Sequence, residues 1–281
     1  MPLTHKIIQK LLSVSKFPAR DFLIENLPKW FIKPATGKVV VETNFGFKIN
    51  LDPVFDKNIE NVIYERGVYE LGTVTVLQDF LKQGDTFVDV GANIGWLSLV
   101  GAKKVGDKGK VLAFEPVPST FKILNSNKDI NHFNQIKLHQ FALGNNEQEV
   151  TIYPETENRG GASILNHQSD KGIEIEVKRL DDLQLKSKVN VIKIDVEGFE
   201  LDVLKGASDT IIKDKPKLII EHSIDRNNTA EQYEIYNWLV DLGIYKIYKL
   251  KNGKERKSIL IEIKSKQDLP EHDNIFCIEK L

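Results

Sequence analysis

Val88-Asp89-Val90-Gly91-Ala92-Asn93-Ile94-Gly95 links an apolar, β-favouring run that begins at Phe87 to a helix-forming run that continues to Lys104. A strand, a glycine turn and a helix in that order form the first unit of an open α/β sheet. Ligands of such sheets bind outside the carboxyl ends of the strands, so the turn itself is the first candidate site. Gly91 permits a tight or left-handed turn, and Gly95 lets the helix approach a ligand or the sheet closely. Asn93 is expected as the N-cap of a helix starting at Ile94. That N-terminus presents free amides and a partial positive charge suited to a carboxylate. A dinucleotide loop reads G-x-G-x-x-G, but Asn93 stands at its second glycine position and Trp96 at its third, which argues against a pyrophosphate and for a smaller anionic ligand. Asp89 is a costly buried charge unless hydrogen-bonded; the loop amides, or a ligand's ammonium through water, are the expected partners.

Outward from this loop the chain alternates strand and helix. Strands are predicted at Phe87 to Val90, Lys110 to Phe114, Ile136 to Phe141, Val189 to Ile194, Lys217 to Glu221 and Tyr245 to Leu250, with a last one near Ile275 to Ile278. Helices are predicted at Ile94 to Lys104, Ser119 to Ile130, Phe199 to Leu204 and Ala230 to Leu242. Apolar strand runs separated by helices imply a doubly wound α/β fold, a parallel sheet covered on both faces. Two alternating segments, Glu149 to Tyr153 and Ile173 to Lys178, interrupt the pattern and read as an inserted β-ribbon whose connecting loop holds Ser163, a candidate substrate contact. Ahead of the core, Asp56 to Lys82 reads as one helix, and Val39 to Glu42 with Phe47 to Leu51 as a hairpin. The expected division is an N-terminal extension of helix and hairpin over 1–55 and a catalytic domain over 56–281.

Glu115 follows the second core strand and precedes Pro116, which fixes the backbone that aims it. An acid there can accept both hydroxyls of a ribose, a device that indicates a nucleoside without naming the cofactor. Composition narrows the partner. With 39 basic and 40 acidic side chains the net charge is -1, so no overall field is available to hold a polyanion, and nucleic acid is not the expected substrate. The one cysteine, Cys277, lies in an apolar run and has no partner for a bridge, so a buried thiol is expected. Neither a spanning apolar run nor a signal peptide is visible, and the expected location is cytoplasmic. The basic, apolar-periodic first twenty residues read as a helix packed on the body of the protein, with a membrane-surface helix as the alternative.

Over about Tyr69 to Glu221 the chain resembles the FkbM-type methyltransferases. The resemblance runs through the loop Val88 to Gly95, Phe114-Glu115-Pro116 with Pro118 and Asn127, Ala142-Leu143-Gly144, Arg179-Leu180-Asp181-Asp182-Leu183, and Lys193-Ile194-Asp195-Val196-Glu197-Gly198-Phe199-Glu200. It implies a Rossmann-like methyltransferase sheet, S-adenosyl-L-methionine as cofactor, and methyl transfer to a hydroxyl on a sugar or sugar-bearing metabolite. By the same resemblance Tyr69 and Glu70 close over the methionine end, Glu115 holds the ribose, and Ala142 and Leu143 border the adenine. The first 50 residues and the segment after His222 carry no family signature, which leaves the acceptor, a small molecule or glycan, undetermined.

Asp195 and Glu197 lie two apart where the fourth core strand ends, and if the strand continues through them they project on one side; Glu221 and His222 end the fifth nearby. Methyl transfer is an in-line displacement, so orientation contributes most and base catalysis adds roughly 10²–10⁴-fold. His222 has the titration range suited to take the hydroxyl proton and is the first candidate base. Asp195 is the second, with Glu197 and Glu221 positioning the acceptor. No metal is expected, although Asp195 with Glu221 offers hard oxygen ligands suited to Mg²⁺ as an alternative. A nicotinamide-dependent oxidoreductase and a non-catalytic adenosylmethionine-binding protein are the competing functions.

Overall fold

The computed structural model describes residues 7, 9, 27, 28, 30–153, 159, 172–223 and 233–280. The predicted N-terminal helix, Ser163 and the start of the helix predicted from Ala230 fall largely or wholly outside them. The hairpin forms as expected, with β1 (Val39–Glu42) antiparallel to β2 (Lys48–Leu51). The single helix expected over 56–82 is two: α1 (Glu60–Arg66) and α2 (Leu71–Phe80). Gly67 ends α1 in the left-handed region at φ 73°, its amide bonded to the Ile63 carbonyl, and Glu70 then takes φ 48°, so the chain turns before α2 begins.

In chain order the remaining strands are β3 (Thr86–Val90), β4 (Lys110–Phe114), β5 (Ile136–His139), β6 (Ala142–Leu143), β7 (Gln148–Ile152), β8 (Ile173–Lys178), β9 (Val191–Ile194), β10 (Lys217–Ser223), β11 (Tyr245–Leu250), β12 (Leu260–Glu262) and β13 (His272–Glu279). The remaining helices are α3 (Trp96–Val105), α4 (Pro118–Asp129), α5 (Glu200–Gly206), α6 (Ser208–Asp214) and α7 (Glu234–Asp241). Eight strands form the central sheet in the order β12-β11-β13-β10-β9-β3-β4-β5. The five from β10 to β5 are parallel, as expected. β13 departs from a parallel sheet: it lies between β10 and β11 and runs antiparallel to both. A parallel return needs a crossover of a dozen or more residues, usually a helix, and the chain from β11 to β13 passes through the short strand β12 instead. The inserted ribbon gains a third strand, because β6 pairs with β8 in a separate sheet ordered β6-β8-β7.

The period-two alternation of the core strands divides the interior. Phe87, Val111, Val191 and Ile219 pack with Leu77 of α2, Leu99 of α3 and Leu124 of α4 on one side. Val88, Val90, Ile192 and Ile220 pack with Leu204 of α5, Ile211 of α6 and Leu239 of α7 on the other. Both layers are buried, as a doubly wound sheet requires. The hairpin is bound into the first layer by Trp96, whose ring lies 5.5 Å from Phe45 and 5.6 Å from Phe47. Among the described residues no helix is long and apolar enough to cross a membrane.

Asn127 of α4, fully buried, ties three segments together. Its Oδ1 accepts the Asn50 amide of β2 at 2.6 Å, and its Nδ2 donates to the Ile94 carbonyl of the glycine loop at 2.8 Å. Removing one partner of a buried hydrogen bond strands the other at about 1–3 kcal/mol. Asn127→Ala leaves an amide and a carbonyl unpaired, and is expected to lower the unfolding free energy by about 2–5 kcal/mol in denaturant titrations. A loss below about 1 kcal/mol would show that the staple is not structural.

Candidate active site

The carboxyl ends of β3, β4, β9 and β10 open into one cavity of about 320 Å³, within the roughly 300–1,000 Å³ of small-molecule pockets. Its floor is the glycine loop. Gly91 turns at φ 76° and Gly95 at φ 94°. Asn93 is not the helix N-cap expected of it: α3 begins at Trp96 with Gly95 as its cap, and Asn93 itself sits at φ 50° with its Oδ1 accepting the Ile94 amide at 2.7 Å. Asparagine tolerates this left-handed turn better than most residues. Its backbone amide then points across the pocket to Glu115.

Glu115 is buried and accepts two amides, Asn93 N–H at 3.0 Å on Oε2 and Val117 N–H at 2.9 Å on Oε1. Each carboxylate oxygen keeps a second lone pair, as a ribose diol requires. Burial raises the group to about 7 against the pull of the two donors. Beyond Glu115 the wall is apolar: Val117, Ile152 and Ile175 form a small cluster against Ala142. Together with Pro116 and Leu143 they line the cavity, so the inserted ribbon supplies a dry slot beside the acid. The sequence had marked the ribbon as an insertion without revealing that Ile152 and Ile175 face this slot.

At the other end of the cavity the chemistry is ionic. Asp89 does not bond the loop amides. Its Oδ2 accepts Ser98 Oγ of α3 at 2.5 Å, and Lys193, its register partner on β9, is the nearest compensating charge. Lys193 Nζ lies 2.6 Å from Asp195 Oδ2. Lys254 Nζ, carried in by the turn between β11 and β12, lies 2.5 Å from Glu221 Oε1 and 3.2 Å from Glu70 Oε1. The same turn caps α2, the Lys254 carbonyl accepting the Gly72 amide at 2.8 Å. Tyr69 and Glu70 both line the cavity, and the Tyr69 carbonyl accepts the Trp96 indole N–H at 2.9 Å.

The fourth core strand does not continue through its acids. β9 stops at Ile194, and Glu197, at φ 50°, returns through a turn whose Val196 and Gly198 amides are held by Glu200 Oε1. Asp195, Glu197 and Glu221 nevertheless place carboxylate oxygens within 4.8 Å of one another. Lys193 and Lys254 occupy Asp195 and Glu221, so protein ammonium groups already supply positive charge where the Mg²⁺ alternative would need its own. Burial and the nearby Asp195 push Glu221 up to about 8. Burial also penalises Asp195, but Lys193 and a hydrogen bond with Glu221 outweigh it and hold Asp195 at about 2. The two acids therefore titrate as one pair, with the proton favouring Glu221.

His222 requires a correction. It is buried on the side of β10 that carries Leu218 and Ile220, and it does not line the cavity. Neighbouring residues of a strand face opposite sides, so Glu221 in the pocket excludes His222 from it. Burial lowers the imidazole to about 4, and neither ring nitrogen has a partner among the described residues. The histidine that does reach the cavity is His272, at the start of β13. Arg159 also lines it, its Nε 2.6 Å from Glu60 of α1. No local motif marks Lys254, His272 or Arg159, because tertiary packing brings each to the site.

A family model described as the methyltransferase FkbM domain matches residues 89–245. Among similar proteins, methyltransferase 1 of Beauveria bassiana is 33% identical, over 44% of this chain and 59% of its own length. The hexuronic acid methyltransferase AglP of Haloferax volcanii is 30% identical, over 50% of this chain and 58% of its own. The chain thus spans 59% and 58% of the length of these relatives. A solved structure of an FkbM methyltransferase from Methylobacillus flagellatus aligns with a TM-score of 0.46 and 19% identity, over 79% of this chain and 55% of that one.

Glu115→Gln keeps the shape and one acceptor oxygen but loses the charge. It is expected to weaken binding of S-adenosylhomocysteine at least about tenfold, near 1.4 kcal/mol, with unchanged circular dichroism. In the wild type the affinity should rise with pH through about 7, as Glu115 ionises. Equal affinities for the two proteins would place the carboxylate outside the binding contact.

Proposed function

We propose that this chain, which belongs to the methyltransferase FkbM domain family, is an S-adenosylmethionine-dependent O-methyltransferase acting on a sugar hydroxyl. The observation that carries the reading is the division of one cavity into an apolar slot, a ribose-ready acid at Glu115 and an acidic rim. A nucleoside with a positively charged tail fits that sequence of surfaces. The name of the AglP relative, a hexuronic acid methyltransferase, supports a sugar as the acceptor.

In this reading Ala142, Leu143, Ile152 and Ile175 sandwich the base, and Glu115 accepts the ribose hydroxyls. Asp89 Oδ1, buried and without a hydrogen-bond partner among the described residues, is an unused acceptor beneath the loop. Tyr69 and Glu70 flank the methionine end. The bound cofactor supplies a methyl carbon on a sulfonium, whose positive charge the rim of Asp195, Glu197 and Glu221 favours. Glu221 takes the acceptor's proton, replacing His222 in that role, and once protonated it is held by a hydrogen bond to Asp195. Lys254 orients Glu221 through its Oε1. Orientation of this kind is worth up to roughly 7–11 kcal/mol, well above the base.

Transfer of labelled methyl groups to a panel of methyl glucoside, methyl glucuronide and methyl rhamnoside tests the reading. Activity is expected to rise with pH through about 8, since Glu221 is a base only once the pair has lost its second proton. Glu221→Gln should lower kcat roughly 10²–10⁴-fold and flatten that limb. A full-rate variant with the same alkaline limb would remove Glu221 as the base.

A further inference from the structure

Resting on the methyl-transfer reading, we propose that His272 carries the acceptor's proton from Glu221 to solvent. Three groups form a line from the cavity outward. Glu221 Oε1 stands 3.8 Å from His272 Nε2, and His272 Nδ1 stands 2.6 Å from Ser223 Oγ. β10 and β13 pair with Ser223 opposite His272, so the sheet register itself sets the ring beside the hydroxyl. The 3.8 Å gap is closed by a small side-chain torsion or one bridging water.

The other groups bonded to Glu221 do not lead out. The Asp195 side chain is 30% exposed and held by Lys193; that of Lys254 is 14% exposed and shared with Glu70; the His272 side chain is 61% exposed. The charges around the ring are Glu221 on β10, Lys254 on the β11–β12 turn, and Glu271 and Asp273 beside it in the chain.

In the transfer step the acceptor O–H bond breaks as O–C forms, the C–S bond breaks with its electron pair left on sulfur, and the proton passes to the Glu221 carboxylate. Glu221 O–H then donates to His272 Nε2, whose lone pair is available when Nδ1–H donates to Ser223 Oγ. The imidazolium loses its proton to water, and one proton leaves per methyl group transferred.

The test compares wild-type, His272→Gln and Ser223→Ala proteins in the labelled-methyl assay across neutral and alkaline pH, with and without added imidazole. His272→Gln is expected to lower kcat about tenfold or more near neutrality, with S-adenosylhomocysteine affinity unchanged and imidazole restoring much of the rate. Ser223→Ala should show a smaller loss. Equal kcat for wild type and His272→Gln at every pH, without response to imidazole, overturns the relay and leaves the methyl-transfer reading intact. A wild type that binds S-adenosylhomocysteine yet methylates no panel member counts against the sugar acceptor instead. The relay is then decided by the His272 ring nitrogen-15 NMR signals near neutral pH, identified by their loss in His272→Gln. An Nε2 signal that moves toward that of an unbonded imidazole in Glu221→Ala supports the contact, and one that does not move overturns it.

Discussion

At Gly91 the chain turns with φ 76° and passes so close to the end of β9 that a β-carbon there would stand 1.8 Å from the Asp195 carbonyl oxygen. No side chain fits, and the absence of one lets two strand ends close on the same small space. Through this contact the loop after β3 brings the Asn93 amide to Glu115, while the turn after β9 brings Asp195 and Glu197 to the mouth. The apolar slot and the acidic rim are adjacent because the backbone is bare at this position. Glycine is the residue that makes such an approach at positive φ without strain.

The rim works by opposition of charges in a partly dry space. Five acids, Glu70, Asp89, Asp195, Glu197 and Glu221, meet two lysines, Lys193 and Lys254, and the acids are left in excess. Burying acids is costly unless they are paired; Lys193 pairs with Asp195, and Lys254 bridges Glu221 and Glu70. What remains is an excess of acids over lysines, a lining suited to a cation. Stability and reactivity are coupled here: the same lysines that make the acids tolerable hold their oxygens in place.

Much of this was legible in the sequence, for identifiable reasons. The inner parallel strands β3, β4, β9 and β10 are largely apolar runs buried on both faces, which few other structures produce, and Glu115 is marked by its place between a strand and Pro116. The lack of a second and third loop glycine is what argues against a pyrophosphate loop. Other features depend on conformations that residue type does not dictate. Glu70, Asn93 and Glu197 all lie at positive φ without being glycine, and each turns a side chain or amide that a helix or strand reading aims elsewhere. His222 was a matter of parity, since Glu221 and its neighbour cannot both face the mouth of the pocket. Lys254 and His272 come from the antiparallel end of the sheet, where no local motif announces that a hairpin tip will reach the cavity.

The proposed occupant of the cavity at the strand ends is an adenosyl sulfonium donor and no dinucleotide. Calorimetric titration of the purified protein with S-adenosylmethionine, S-adenosylhomocysteine and NAD tests it directly. The account predicts saturable one-site binding of both sulfur compounds and no heat of binding with NAD. Tight NAD binding with no response to either sulfur compound would contradict it.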